Sequence, residues 1–223
     1  MIKLYVWEFP LRLSHWVNFL AIAVLAFTGF YMGNPFIYVP PGERFFMTTM
    51  KFAHIVAAYF FTVSFLLRIY WGLVGNSYAR LRFYVPTKAT LWKDMRDEVK
   101  FYLFIKKEHK PCIGHCPWAA LVYLLLFVVL LVEIITGFAL YSQSHQGAGF
   151  IWKVLGGWLL SFFPAPTIRL WHHIIMWFIV IFTIAHVYIG WLFDLTEKNF
   201  LMGSIFTGYK VIDEEKGCVD RIG

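Results

Sequence analysis

Four long apolar stretches, bounded by segments that contain Gly, Pro and charged residues, dominate the pattern of the chain. As α-helices they are each long enough to cross a hydrocarbon core of about 30 Å, at about 1.5 Å of rise per residue. The pattern therefore predicts an all-α membrane protein, a four-transmembrane-helix bundle that forms one membrane-embedded domain over residues 1–223. The predicted spans are about 13–31, 52–74, 118–141 and 169–193.

The segments between the spans predict shorter elements. Pro10 suits the first turn of the first helix, where no backbone N–H is needed. The polar loop of residues 75–117 predicts an interfacial helix around 91–105, and the apolar middle of the loop before Pro164 predicts a short surface helix. The tail at 194–223 is mixed in charge, and we expect it to need no fold of its own.

The composition excludes an ordinary soluble domain. Hydrophobic residues make up 60% of the 223 residues and charged residues 15%, with a mean hydropathy of +0.63. A secretory signal peptide is the alternative interpretation of the first span. The apolar run at 16–33 is longer than the usual core of about 7 to 15 residues, and no small-residue cleavage site precedes Asn34. We therefore expect a retained span.

The basic residues predict the orientation of the spans. The net charge of +7 would suggest nucleic acid in a soluble protein, but in a membrane protein its distribution between the loops is what matters. Only four of the 20 Lys and Arg residues fall on one side, and the remaining 16 fall on the side of the two termini and the 75–117 loop. Both termini are therefore expected in the cytoplasm. The four on the other side are Arg44, Lys51, Lys153 and Arg169.

The three cysteines do not indicate a structural framework. Their number is odd, and none lies in a loop predicted to be outside, so no disulfide framework is implied. Cys112 and Cys116 are four residues apart, but no second pair of ligands has the spacing of a zinc site. We expect no structural zinc.

Four histidines share one register along three of the spans. His172 and His186 are fourteen residues apart, which on an α-helix is about 21 Å of rise and within roughly 40° of the same face. The same spacing separates His15 from Gly29 and His54 from Arg68. His173 points to a different face, and packing or surface exposure is its expected role.

The predicted topology sorts these histidines by depth. His15 begins an outward helix and His186 ends an inward one, so both are expected near the cytoplasmic surface. His54 and His172 each begin an inward helix and are expected near the periplasmic surface. Two facing neutral imidazoles within a helix bundle are what an axially coordinated haem iron requires. The alternative for a single histidine at a helix end is a capping or interfacial role, but four that pair by depth favour two haem sites.

Other residues on the same faces suit the surroundings of a haem. Gly29 lets a macrocycle approach the helix backbone, and Arg68 and Arg169 are placed to bind propionates. Glu133 is the acid within the third span, so a functional role is its default interpretation. The alternative is an acid that faces a haem edge, Arg169 or trapped water. Three further histidines lie in loops, where solvation is expected: His109, His115 and His145.

The sequence resembles the b-type cytochrome subunit of membrane-bound nickel–iron hydrogenases, within the four-helix di-haem bacterial cytochrome b family. The motifs that carry the resemblance are, in order, FPLRLSHW, LLRIYWGLVGN, CIGHCP, IITGFALYS, WHHIIMW and IAHVYIG. They extend over nearly the whole chain, and the set in this order is more specific than any one of them. Glu133 and the two cysteines that flank Gly114 are not part of the pattern.

The resemblance implies a function in a respiratory chain of the inner membrane. It implies that His54 and His172 bind the outer haem iron and that His15 and His186 bind the inner one. Small and large hydrogenase subunits in the periplasm would supply electrons from H2, which pass through the outer and then the inner haem to a membrane quinone. The quinone would lie near residues 113–115, with Gly114 and His115 as the candidate contacts.

Two alternatives remain open from the sequence. The first is a formate dehydrogenase-type or free-standing di-haem cytochrome b, with the same ligands and another electron donor. The second, of a different class, is a haem-free membrane anchor or transporter in which the histidines relay protons. In the preferred interpretation the chain is the electron-transfer subunit of an H2:quinone oxidoreductase. It contacts lipid, binds no nucleic acid and belongs to an oligomer of the whole complex.

Overall fold

The computed structural model describes residues 2–37, 45–85, 89–103, 105–106, 114, 116–144, 150–197 and 200–212. Within these residues the elements follow one another as β1 (Ile2–Tyr5), α1 (Phe9–Gly33), α2 (Phe45–Val74), a 3-10 turn (Leu81–Tyr84), α3 (Ala89–Tyr102), α4 (Pro117–Ser144), α5 (Phe150–Leu155), a second 3-10 turn (Gly157–Ser161), α6 (Ala165–Glu197), α7 (Leu201–Thr207) and β2 (Tyr209–Ile212). Helices therefore dominate the described part of the chain.

Four helices, α1, α2, α4 and α6, are long and apolar enough to cross a membrane. Each contains one of the predicted spans and extends beyond it at one or both ends. Large apolar side chains in these helices face outward, as expected where lipid is the solvent: Leu20 is 63% exposed, Phe60 64% and Ile181 63%. The prediction of an all-α membrane protein with four spanning helices is confirmed.

The two shorter helices expected between the spans are also present. The interfacial helix predicted around 91–105 is observed as α3, whose Met95 and Glu98 are buried. The Glu98 carboxylate accepts a hydrogen bond of 2.7 Å from the backbone N–H of Trp118. Because the first N–H groups of a helix have no partner within it, this bond caps the start of α4. The surface helix predicted before Pro164 is observed as α5 and the following 3-10 turn.

The structure separates into two compact units, and each long helix contributes residues to both. The first unit comprises Met1–Trp16, Ser64–Leu126 and His186–Gly223. The second comprises Val17–Val63 and Phe127–Ala185. In the second unit Gly156 packs on the backbone of α4, because a Cβ there would lie 2.5 Å from the Ala139 nitrogen.

The expectation that the tail needs no fold of its own is wrong. In the first unit, α7 follows α6, and β2 then pairs antiparallel with β1, from Ile2 opposite Ile212 to Tyr5 opposite Tyr209. Gly208 connects α7 to β2 with a φ of +89°, a conformation that favours glycine. Its carbonyl accepts hydrogen bonds from the backbone N–H groups of Val6 and Trp7. These long-range pairings are invisible in the local pattern of the tail.

A small apolar core joins the two ends of the chain. Val6, Trp7, Leu11 and Ala79 form it, with Ile205 from α7 packed against them. The indole N–H of Trp7 donates a hydrogen bond of 3.0 Å to the Ser204 hydroxyl. The buried Lys210 ammonium lies 5.7 Å from the centre of the Trp7 ring. Burial of a large aromatic side chain with its polar group satisfied stabilises this arrangement.

Glu8 ties the start of α1 to the end of α2. Its Oε2 accepts a 2.8 Å hydrogen bond from the Trp71 indole N–H and another of 2.8 Å from the backbone N–H of Asn76. Asn76 in turn donates from Nδ2 to the Val6 carbonyl at 3.0 Å. One carboxylate therefore satisfies a side chain of α2 and the turn that follows it.

We expect the Glu8→Ala variant to be less stable than the parent protein. It leaves two half-buried donors without their acceptor, at a cost of about 1 to 3 kcal/mol for each unsatisfied group. The measurement is the free energy of unfolding in mixed micelles with increasing SDS. Glu8→Gln, which keeps an acceptor oxygen, is the control and should retain most of the stability. Equal stability of the alanine variant would contradict this role.

Candidate functional site

The structure divides the four predicted haem ligands between the two units. His15 of α1 and His186 of α6 belong to the first unit, and His54 of α2 and His172 of α6 belong to the second. All four imidazoles are half-buried. Each unit thus holds one pair, and the members of a pair come from different helices.

The rings of the first pair face each other. The His15 and His186 ring centroids are 6.4 Å apart, with 53° between the ring planes. The Tyr123 hydroxyl of α4 lies 3.1 Å from Nδ1 of His186. Nδ1 of His15 is buried and has no hydrogen-bond partner among the described residues. A buried ring nitrogen of this kind suits a metal ligand, because a buried polar atom otherwise needs a partner.

Arg68 lies in the same unit as the first pair and is buried. Its Nη2 donates to the Tyr84 hydroxyl at 2.9 Å and to the Ala79 carbonyl at 3.3 Å. Burial raises the pKa of Tyr84, so this side chain is a neutral phenol that accepts from the guanidinium. A buried guanidinium is suited to binding an anionic group such as a propionate.

In the second pair, a threonine orients His54. Thr28 Oγ1 of α1 lies 2.8 Å from His54 Nδ1. The same hydroxyl donates to the Val24 carbonyl at 2.6 Å, with the Leu25 carbonyl at 3.2 Å. Because the hydroxyl has one hydrogen, and that hydrogen is directed at the helix backbone, its oxygen is left to accept from the imidazole. His54 therefore carries its proton on Nδ1.

His172 has the same support from a different helix. Thr136 Oγ1 of α4 lies 2.9 Å from His172 Nδ1 and is bonded to the Val132 carbonyl at 2.9 Å. A second acceptor is present here, since Glu133 Oε1 is 3.3 Å from the same nitrogen. The imidazoles of His172 and His54 are close enough to interact electrostatically.

The hydrogen bonds at Nδ1 determine which nitrogen is free for a metal. In a neutral imidazole one nitrogen carries the proton and the other has the lone pair. With Nδ1 protonated, the Nε2 atoms of His54 and His172 can each donate a lone pair to a metal. Oriented ligand histidines in metalloproteins have their second nitrogen held in the same way.

Two glycines let the imidazoles of the second pair pack against the helix backbone. A Cβ at Gly29 would lie 3.6 Å from Cε1 of His54, and a Cβ at Gly137 would lie 3.3 Å from Cε1 of His172. At Gly29 the Cβ would also lie 3.3 Å from Sδ of Met176. A side chain at either position would therefore crowd the imidazole.

These features fit two haems better than bare metal ions. The described residues contain no group of three or more His, Cys, Asp or Glu side chains that could hold a metal ion. A haem iron needs only its axial ligands from the protein, because the macrocycle supplies the others. The facing rings of the first pair and the held tautomers of the second match that requirement. Ligation itself stays a prediction.

Other predicted residues lie apart from these pairs or outside the described residues. Arg169 is exposed on α6, three residues before His172. Gly114 is half-buried, its carbonyl accepts a hydrogen bond of 3.2 Å from Lys210 Nζ, and a Cβ there would lie 3.1 Å from the Tyr78 ring. The described residues do not include Cys112, Ile113 or the three loop histidines, which are His109, His115 and His145.

The remaining sequence expectations have mixed outcomes. His173 packs against Gly33, because a Cβ at that glycine would lie 2.8 Å from the imidazole. Glu133 faces the candidate ligand His172. The structure gives it no bond to Arg169 within the described part of the chain. The sequence implies no disulfide framework, but the structure has a disulfide bond at Cys116. The two other cysteines lie outside the described residues.

Sequence reasoning missed the residues that support the ligands. Thr28, Thr136 and Tyr123 were not singled out, because a threonine or tyrosine within a span has many ordinary roles. A signal was nevertheless present: the tripeptide Thr-Gly-Phe occurs at 28–30 and again at 136–138. Its two copies provide both threonines and both glycines described above.

The chain is similar to known membrane cytochromes. The model of the family "prokaryotic cytochrome b561" matches residues 6–208. A probable Ni/Fe-hydrogenase B-type cytochrome subunit of Azotobacter chroococcum mcd 1 is 38% identical over 218 residues, which cover 95% of this chain and 90% of the relative. A probable Ni/Fe-hydrogenase 1 B-type cytochrome subunit of Escherichia coli (strain K12) is 36% identical over 215 residues, which cover 92% of this chain and 90% of the relative.

These matches confirm the family that the motifs predict. The family match, together with the four membrane-spanning helices, identifies a multi-pass protein of the prokaryotic inner membrane. Because the matched region includes both histidine pairs and most of every long helix, the chain belongs to the prokaryotic cytochrome b561 family.

Proposed function

We propose that this chain is the di-haem b-type cytochrome subunit of a membrane-bound nickel–iron hydrogenase. The observation that carries the proposal is the presence of one imidazole pair in each unit, His15 with His186 and His54 with His172. The names of the relatives support the hydrogenase partner, since they are described as Ni/Fe-hydrogenase cytochrome subunits. The chain anchors the periplasmic hydrogenase and connects it to the membrane quinone.

The residues of the chain hold and orient the redox groups. When bound, two haems b supply one-electron chemistry between the iron–sulfur chain of the hydrogenase and the quinone. Thr28 and Thr136 hold the imidazoles of His54 and His172 in the tautomer that is protonated on Nδ1. In the first unit, Arg68, which is bonded to Tyr84, offers its positive charge to a propionate. The surrounding apolar side chains keep the imidazoles neutral, because a low-dielectric environment disfavours the charged form.

The direction of electron flow rests on the asymmetry of the basic residues. The 75–117 loop and both termini carry most of the positive charge, which places them in the cytoplasm. His54 and His172 are then nearer the periplasmic hydrogenase, and His15 and His186 nearer the quinone. Gly114 and His115 are the proposed quinone contacts, and the Gly114 carbonyl is held by the buried Lys210.

Replacing one ligand from each pair should remove haem from one site at a time. We expect His54→Ala and His15→Ala each to lose about half of the b-type haem per chain, because one axial ligand is lost at one iron. The measurement is the pyridine haemochrome content of purified protein, with a potentiometric titration to show which component disappears. His173→Ala is the control and should keep both haems. Unchanged spectra in both ligand variants would favour the haem-free proton-relay alternative.

The electron donor is tested by using H2 as the sole reductant. In anaerobic native membranes we expect H2 to produce the reduced b-type bands that dithionite produces, because the hydrogenase and this chain form one electron path. A reduced-minus-oxidised visible spectrum measures it. Reduction by dithionite and formate but not by H2 would instead support a formate dehydrogenase-type subunit. In membranes that lack the hydrogenase large subunit, the response to H2 should disappear.

A further inference from the structure

The two Thr-Gly-Phe segments occupy matching places in the second unit. In the first copy, on α1, Thr28 contacts His54 of α2 at 2.8 Å. Phe30 of the same copy packs edge-on against Trp177 of α6, with ring centroids 4.7 Å apart. Trp177 lies five residues after His172. The first copy therefore holds one ligand with its threonine and contacts the helix of the other ligand with its phenylalanine.

The second copy, on α4, makes the same two contacts with the roles of the helices exchanged. Thr136 contacts His172 of α6 at 2.9 Å. Phe138 packs against Tyr59 of α2, with ring centroids 5.9 Å apart. Tyr59 lies five residues after His54. The aromatic partner thus has the same register relative to its histidine in both copies.

We propose that the two Thr-Gly-Phe segments form one pseudo-twofold cradle, in which Thr28 and Thr136 are positioning residues that set the tautomer and the donor strength of the haem ligands His54 and His172. The middle glycine of each copy, Gly29 or Gly137, lets the imidazole pack close to the helix backbone. The inference rests on the proposed function, since it assumes that these histidines bind a haem iron.

The hydroxyl acts on the iron site through the imidazole. A hydrogen bond from Nδ1–H to an acceptor makes the ring a stronger donor at Nε2 and fixes its orientation. Stronger donation favours ferric over ferrous iron. Loss of the acceptor should therefore weaken haem binding and raise the midpoint potential. It also takes the side-chain acceptor away from a half-buried N–H, which is costly inside an apolar environment.

The cradle is asymmetric in one respect. Glu133 Oε1 lies 3.3 Å from His172 Nδ1, whereas the described residues provide His54 with no carboxylate at its Nδ1. When Thr136 is replaced, His172 still has an oxygen to which its N–H can donate. When Thr28 is replaced, His54 loses its side-chain acceptor, and the oxygen that remains near it is the Leu25 backbone carbonyl. The two threonines should therefore differ in effect, although their own geometry is nearly the same.

The test replaces each threonine by valine, which has the same shape but no acceptor. In the full chain, assembled with its complex, we expect Thr28→Val to lose haem to excess apomyoglobin about 10 to 100 times more readily. The midpoint potential of one of the two haems should rise, and the ferric EPR g-values of that haem should shift. Thr136→Val should show a smaller change, and Thr136→Val combined with Glu133→Leu should approach Thr28→Val.

Two further variants separate the hydrogen bond from a loss of structure. Thr28→Ser keeps the hydroxyl and should restore the potential and the g-values. Thr62→Val is the matched control, because Thr62 donates to its own helix at Ala58 and is not bonded to a ligand; it should behave as the parent does. Unchanged haem transfer, potential and g-values in Thr28→Val, or an equal change in Thr62→Val, would overturn the inference. Retention of both haems by His54→Ala would instead refute the proposed function on which it rests.

Discussion

The hydrogen bond between a histidine Nδ1–H and a threonine hydroxyl is the interaction on which the second unit depends. An imidazole placed within an apolar span needs an acceptor for its N–H, because lipid and hydrocarbon side chains offer none. The threonine can be that acceptor because its own hydrogen is bonded to a carbonyl one turn earlier, as at Thr28 and Val24. The backbone carbonyl thus takes the threonine hydrogen and leaves the threonine oxygen to accept a hydrogen bond from the imidazole.

The second copy of this arrangement suggests how the protein is organised along its sequence. Thirteen residues before Thr28 lies His15, and thirteen residues before Thr136 lies Tyr123. Fourteen residues after His54 lies Arg68, and fourteen after His172 lies His186. The two helices α1 and α2 therefore share a pattern of spacings with the two helices α4 and α6. The matching positions carry the same residue types in the second unit and different ones in the first, where one half has His15 and Arg68 and the other Tyr123 and His186.

The first unit obtains its order from the two ends of the chain. The pairing of β1 with β2, the Trp7 core and the Glu8 carboxylate hold the start of α1 against α7 and the turn after α2. His15 lies less than two helical turns beyond Glu8, the residue that precedes α1, so these bonds help to fix the position of its imidazole. Arg12 adds a hydrogen bond to the Phe206 carbonyl. The position of His15 thus depends on contacts that the described residues of the second unit do not repeat.

The sequence by itself determined the four spanning helices, the register of the histidines and the family. These follow from helical periodicity and from the length that a bilayer imposes, which are local properties of the chain. The tertiary structure decided which oxygen each imidazole meets, as with Thr136 and Glu133 at His172. It also decided that the tail folds, through pairing between residues 2–5 and 209–212. Such contacts join residues that are 36 to more than 200 positions apart, and no local pattern encodes them.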